Sequence, residues 1–233
     1  MKIENYIDIL PWHSSRQWSK RNESSINKII IHQELGDGNI ERVNNYHINS
    51  NHISEKGCPH FCYHYGIEKD GTIKQVNNIS DITWHTKGQN TTGIGVMVVG
   101  NFKGVDNING EEPEEVQMQA LNYLVNWLRK EYNLPKKALY GHSDFGKPAC
   151  PGFTIDKWIA DYKTNDETVS NLLSINELQS KLKQLGLYKG FITGLLDFET
   201  INAIKEFQSS NSLQPTGFAD ERTCRMIIEL SLL

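Results

Sequence analysis

No stretch of the chain approaches the roughly 18 to 20 consecutive apolar residues of a membrane-spanning helix, and no run of five or more Lys or Arg occurs in it. With a formal net charge of -4 over 233 residues, a nucleic-acid partner held by phosphate neutralisation is excluded, and a neutral or mixed-charge partner is expected. The start Met1-Lys2-Ile3-Glu4-Asn5-Tyr6 lacks the basic and then apolar pattern of a secretory signal. Synthesis in a cytoplasm without a signal peptide is therefore the expectation. Cysteine is scarce too: four in a chain this long do not make a disulfide scaffold. In a reducing compartment a Cys beside Pro-Gly reads as a ligand or nucleophile, which singles out Cys150.

The composition that remains, 38% hydrophobic and 22% charged, is that of an ordinary globular protein able to bury one good-sized core and a small second one. Residues 28–33, 61–68, 72–76 and 93–101 are β-branched or aromatic, bounded by Gly, Asn or Asp, and read as strands. Lys69-Asp70-Gly71-Thr72 reads as a hairpin turn between two of them. From Pro113 to Tyr132 the apolar positions Val116, Ala120, Leu121, Leu124, Trp127 and Leu128 follow helical spacing, and a second, weaker helix is predicted from Ile40 to about Ser50. The fold class expected for residues 1–165 is α/β, a mixed β-sheet flanked by helices that cover apolar central strands such as Gly95-Val96-Met97-Val98-Val99.

Polar, aperiodic residues 166–173 read as a linker, and residues 174–233 as a small three-helix domain. Within it Thr193 to Thr200 and Thr216 to Thr223 form a weak repeat at an offset of 23 residues, each placing a Gly turn and an Asp ahead of a helix. The predicted stripes are Ile175, Leu178, Leu182 and Leu185; then Ile201, Ile204 and Phe207; then Met226, Ile227 and Leu230.

Two separated segments carry the chemistry. Ile29-Ile30-Ile31 closes on His32, and His142-Ser143-Asp144-Phe145-Gly146-Lys147-Pro148-Ala149-Cys150-Pro151-Gly152 forms a loop with fixed bends. His32, His142 and Cys150 offer two imidazoles and a thiolate, a complete protein ligand set for a catalytic zinc with its fourth position open. A hydrogen-bonded core histidine at position 32 and a buried thiol at 150 are the plainer alternatives. Cys58, His60, Cys62 and His64 alternate at period two, but on a strand residues four apart lie about 13 Å apart. A Cys58–Cys62 pair would thus need a bend at Pro59, and packing is the expectation.

Five ordered motifs extend this set: Ile29-Ile30-Ile31-His32; Cys62 to Ile67 with Asp70-Gly71-Thr72-Ile73; Trp84 to Asn90; Gly93-Ile94-Gly95-Val96; and Gly141-His142-Ser143-Asp144 running to Ala149-Cys150-Pro151-Gly152. Over residues 26–160 the chain resembles the zinc-dependent N-acetylmuramoyl-L-alanine amidases related to phage endolysins and peptidoglycan recognition proteins. The resemblance implies that His32, His142 and Cys150 hold Zn2+, that Tyr63 faces the metal and assists catalysis, and that His85 and Asn90 line the substrate groove. From the residues alone, Tyr63 could instead be a strand aromatic packed in the core, and His85 could bond a loop carbonyl. One departure stands out. Many catalytic relatives carry Lys or Thr two residues before the cysteine ligand, whereas Pro148 stands there and Lys147 one position earlier. Lys147 is thus either a catalytic residue on a shifted loop or a solvated lysine.

Residues 174–230 resemble the three-helix peptidoglycan-binding module of wall hydrolases, through Leu178-Gln179, Leu185-Gly186, Gly194, Thr200, Ala203, Phe207-Gln208, Leu213, Gly217 and Thr223. The expectation is a zinc amidase that cleaves between N-acetylmuramic acid and L-alanine, with peptidoglycan as partner. The site of action would be the bacterial cell wall, reached by release or delivery. An endolysin is favoured over a recycling enzyme or a delivered toxin. The rivals are a peptidoglycan-recognition protein of the same fold that does not cut, and an interaction protein that uses its tail.

Overall fold

The computed structural model describes residues 1–104, 108–164, 172–192, 194 and 198–232. These fall into two compact units, one spanning Lys2–Thr164 and one after it. The first contains β1 (Ile3–Asn5), β2 (Lys28–Gln33), α1 (Ile40–Ile48), β3 (Tyr65–Ile67), β4 (Ile73–Gln75), β5 (Gly93–Val98), α2 (Glu115–Glu131), β6 (Leu139–Gly141) and α3 (Phe153–Thr164).

The strands form one sheet in the order β1-β4-β3-β5-β2-β6. Only the β3–β4 hairpin pairing is antiparallel, so the sheet is mixed, as expected. Central β2 and β5 are buried almost throughout, which their unbroken apolar sequence requires. Alternation along paired strands sorts the two faces. Met97 and Val99 meet Ile40 of α1 on one face, where a Cβ on Gly66 would come within 2.4 Å of the Ile40 Cδ1. Tyr65, in register with Val96, meets Trp127 of α2 edge-on at 6.4 Å on the other. Helix α2 contributes Ala120, Leu121, Leu124, Val125 and Leu128 to that core. Its first turn is closed by Gln117, whose Oε1 accepts from the Glu114 amide at 3.0 Å.

The strand expected over 61–68 is shorter than its sequence suggests. Residues 58–64 bend, because side chains there satisfy the backbone that a strand partner would otherwise satisfy. Asn77 Nδ2 donates to the Phe61 and Tyr63 carbonyls at 2.6 Å each, and the Cys62 amide donates to His47 Nδ1 at 3.1 Å. The period-two alternation of Cys58, His60, Cys62 and His64 is therefore lost. Cys58 and Cys62 instead come together as free thiols in one buried cluster with Trp18. Strands β1 and β6 and helix α3 had no counterpart in the sequence-based assignment.

The second unit contains α4 (Ile175–Gln184), α5 (Phe198–Ser210) and α6 (Glu221–Leu230), as the three apolar stripes predict. Leu178, Leu182, Tyr188, Ala203, Ile204, Phe207 and Ile227 form its core. Ser174 and Asp220 cap α4 and α6 by accepting from the Glu177 and Thr223 amides at 3.2 and 2.7 Å. The internal repeat has a physical counterpart in two buried glutamines. Gln179 accepts from the Gly194 amide at 3.0 Å and donates to Thr200 Oγ1 at 2.9 Å. Gln208 does the same with Gly217 at 2.9 Å and Thr223 at 3.2 Å. Each latch ties a glycine turn to the first turn of the next helix. Residues 166–171 of the expected linker, and Thr193 and Leu195 to Asp197 of the first repeat copy, lie outside the described residues.

Candidate metal centre

Strands β2 and β6 are parallel neighbours, with Ile31 in register with Gly141. The next residue of each is a histidine, so the two imidazoles leave adjacent carboxyl ends of the sheet side by side. Their ring centroids are 4.4 Å apart. Such strand ends are where open α/β sheets place ligands.

The loop after His142 brings in the thiol. A short 3-10 turn over His142–Phe145 ends on Gly146, whose φ of 83° is left-handed. Ser143 Oγ donates to Asp156 Oδ1 of α3 at 2.7 Å, and the Cys150 amide donates to the Lys147 carbonyl at 2.9 Å. Gln33 clamps the far side: its amide meets Cys150 Sγ at 3.4 Å, and its side-chain amide donates to the Ala149 carbonyl. Cys150 Sγ then lies 3.9 Å from His32 Nδ1. One ligand atom each from His32, His142 and Cys150 lie within 4.8 Å of one another.

Burial sets the protonation of this trio. It holds the His32 imidazole well below its usual range, aided by the neighbouring His142 and His85, and lowers His142 to about 4, aided by the Lys147 charge. Both rings are neutral at pH 7 and carry free lone pairs. Burial also pushes the Cys150 thiol up to about 12. Unassisted, that thiol is protonated and is no nucleophile at neutral pH. Two neutral imidazoles and a thiol that ionises only beside a cation suit a borderline-soft divalent ion, so the donor set fits zinc.

Tyr63 stands against the trio, its ring centroid 4.8 Å from that of His32. Burial first, and then the neighbouring Cys150, raise its phenol well above the usual range, so the hydroxyl stays protonated. Tyr63, His142, Lys147 and Cys150 line a cavity of about 520 Å³, and Lys147 is exposed at it.

His85 and Asn90 do not line that cavity. His85 is 6% exposed and lies behind His32, with its Nδ1 3.2 Å from His32 Nε2. Asn90 Oδ1 accepts from the Thr86 amide at 2.7 Å and shapes the 86–90 turn.

The cavity wall also holds groups that sequence reasoning missed. Val43, Tyr46 and His47 line it from one side of α1, and their i, i+3, i+4 spacing was the available signal. Glu34 lines it as well. Burial raises its carboxyl above the usual range, and its Oε2 has no partner among the described residues.

Residues 22–153 match the N-acetylmuramoyl-L-alanine amidase family, and residues 173–227 match a family of peptidoglycan binding domains. An endolysin of Enterobacteria phage K11 is 32% identical over 147 residues, 61% of this chain and 90% of its own length. An endolysin of Klebsiella phage KP32 is 30% identical over 148 residues, 61% of this chain and 89% of its own. Among solved structures, the Ph2119 endolysin from the Thermus scotoductus MAT2119 bacteriophage Ph2119 superposes with a TM-score of 0.54 at 22% identity. That match covers 70% of this chain and 99% of the other, and it shows a common fold.

Proposed function

The chain belongs to the N-acetylmuramoyl-L-alanine amidase family, and from that premise we propose that it hydrolyses the amide between N-acetylmuramic acid and L-alanine of peptidoglycan at a zinc site made by His32, His142 and Cys150. The observation that carries this reading is the convergence of those three ligand atoms within 4.8 Å at a cavity.

Zinc, when bound, supplies electrophilic stabilisation of the developing oxyanion and activates water at neutral pH. The chain's own groups supply the rest. Tyr63 keeps its proton across the working pH range and donates a hydrogen bond to the tetrahedral oxyanion. Lys147, exposed at the cavity, brings a positive charge to the same mouth and stands in for the residue that Pro148 displaces. Gln33 holds the Cys150 thiol beside His32, where it would join the two imidazoles in holding zinc.

Purified wall treated with the full chain is expected to release peptides that begin with L-alanine, identified by mass spectrometry. A zinc chelator should abolish release, and added zinc should restore it. Tight binding with no release in the presence of zinc would instead mark a recognition protein.

The second unit holds the chain on the insoluble polymer and raises the effective substrate concentration. Truncation after Thr164 is expected to slow wall lysis by about 10-fold or more, with cleavage of a soluble muropeptide kept within about 2-fold. Equal losses on both substrates would show that the tail serves folding instead. The setting that fits is an endolysin released onto the wall. No helix among the described residues is long and apolar enough to cross a membrane.

A further inference from the structure

We propose that His85 is a positioning residue that fixes the tautomer and orientation of His32, through a buried relay running from the Gly93 carbonyl through the His85 imidazole to His32 Nε2. This inference rests on the zinc reading of His32, His142 and Cys150.

The relay begins at a group with no choice of role. The Gly93 carbonyl can only accept, and it lies 3.4 Å from His85 Nε2, which must therefore carry the hydrogen. An imidazole whose single hydrogen sits on Nε2 presents its lone pair at Nδ1. Facing that lone pair at 3.2 Å is His32 Nε2, which must then be the N–H of its own ring. The remaining lone pair of His32 is on Nδ1, the nitrogen 3.9 Å from Cys150 Sγ. The relay thus directs the free nitrogen of His32 toward the other donors. A metal-bound histidine is held in this way when its second nitrogen donates to a fixed acceptor.

Thr86 reinforces the junction. Its Oγ1 lies 3.1 Å from His85 Nδ1 and 3.3 Å from His32 Nε2. The slot for the His85 ring is cut into β5 by two glycines. A Cβ on Gly95 would stand 2.6 Å from His85 Cγ, and one on Gly93 would stand 3.2 Å from its Cε1. No other residue at position 95 leaves the ring this seat. The ring lies away from the cavity and is 6% exposed, so contact with substrate does not explain its placement.

Two measurements on the full chain test the relay without relying on turnover. Long-range nitrogen NMR of the zinc-loaded native protein is expected to show His32 protonated at Nε2 and metal-bound at Nδ1. Metal at Nε2 would overturn the proposal, and this readout depends on no variant folding. Zinc affinity is then measured by chelator competition in a Thr86→Val background, which removes the reinforcing hydroxyl. His85→Leu is expected to weaken zinc binding by about 10- to 100-fold. His85→Asn, whose Oδ1 accepts near the original Nδ1 position, is expected to stay within about 3-fold of the background. Equal affinity for the Leu variant and the background would overturn the relay, as would equal loss in the Leu and Asn variants. A native chain that takes up no zinc would instead refute the metal reading itself, so the two failures are distinct.

Discussion

Cys150→Ser is expected to lower peptide release from purified wall by more than about 100-fold and to weaken zinc retention at least as much, while the chain stays folded. The hydroxyl is close in size to the thiol and can still accept from the Gln33 amide, which approaches Sγ at 3.4 Å. What is lost is a donor able to become a stable anion beside a cation. The buried thiol is pushed up to about 12, and a coordinating metal overcomes that cost, whereas serine has no comparable thiolate to offer. Tyr63→Phe provides the contrast. It should keep zinc and lose on the order of 100-fold in turnover, as for removal of one oxyanion donor. Release and zinc content are read on the same samples. A Cys150→Ser protein that keeps both would end the zinc reading of this site.

Acid is expected to destabilise the first unit steeply below about pH 6.5, the unperturbed histidine value. Burial lowers His47 and His85 to about 3 each, so both stay neutral in the folded chain across the interval where the unfolded chain takes up protons. Above the unfolded value the two states bind the same number of protons at these sites, and no penalty exists. As pH falls toward 3, the unfolded state is favoured by about 1.4 kcal/mol per pH unit for each histidine. Between pH 6.5 and 4.5 the pair costs about 5 kcal/mol, comparable with the whole stability of many domains. His32, His64 and His142 are lowered as well and act in the same direction. Glu34 and Asp156, whose carboxyls burial raises, offset part of the loss. Urea midpoints followed by near-ultraviolet dichroism at pH 7.5 and 4.5 check this. Equal midpoints would show that these rings are not held neutral.

Much of the architecture was legible because periodicity reports burial directly. The triple isoleucine before His32 and the apolar run at 94–99 announced central strands, and the 3.6-residue stripe from Val116 to Leu128 announced α2. The three-residue strands β1 and β6 are too short to show any period. The 58–64 segment misled for a different reason. Its alternation is real, but Asn77 and His47, distant in sequence, capture its backbone groups and bend it. At the site, the residue types around His32, His142 and Cys150 were visible as motifs, whereas the placement of His85 was not. Its partners are His32, 53 positions away, and a strand carbonyl, and nothing in Trp84-His85-Thr86 distinguishes a ring facing a groove from one facing another buried histidine.

By itself the sequence determined the central strands and helix stripes, the repeated glycine turns of the tail, and the kinds of donor atom available, because these depend on residue type and short-range spacing. Tertiary structure alone decided that two histidines end neighbouring parallel strands in register, that a clamped loop returns a thiol to within 3.9 Å of one of them, and that two glycines admit a third imidazole behind it. The physical reason is that coordination and hydrogen bonding act over a few ångströms between atoms up to 118 residues apart, and only strand register and close packing set such distances.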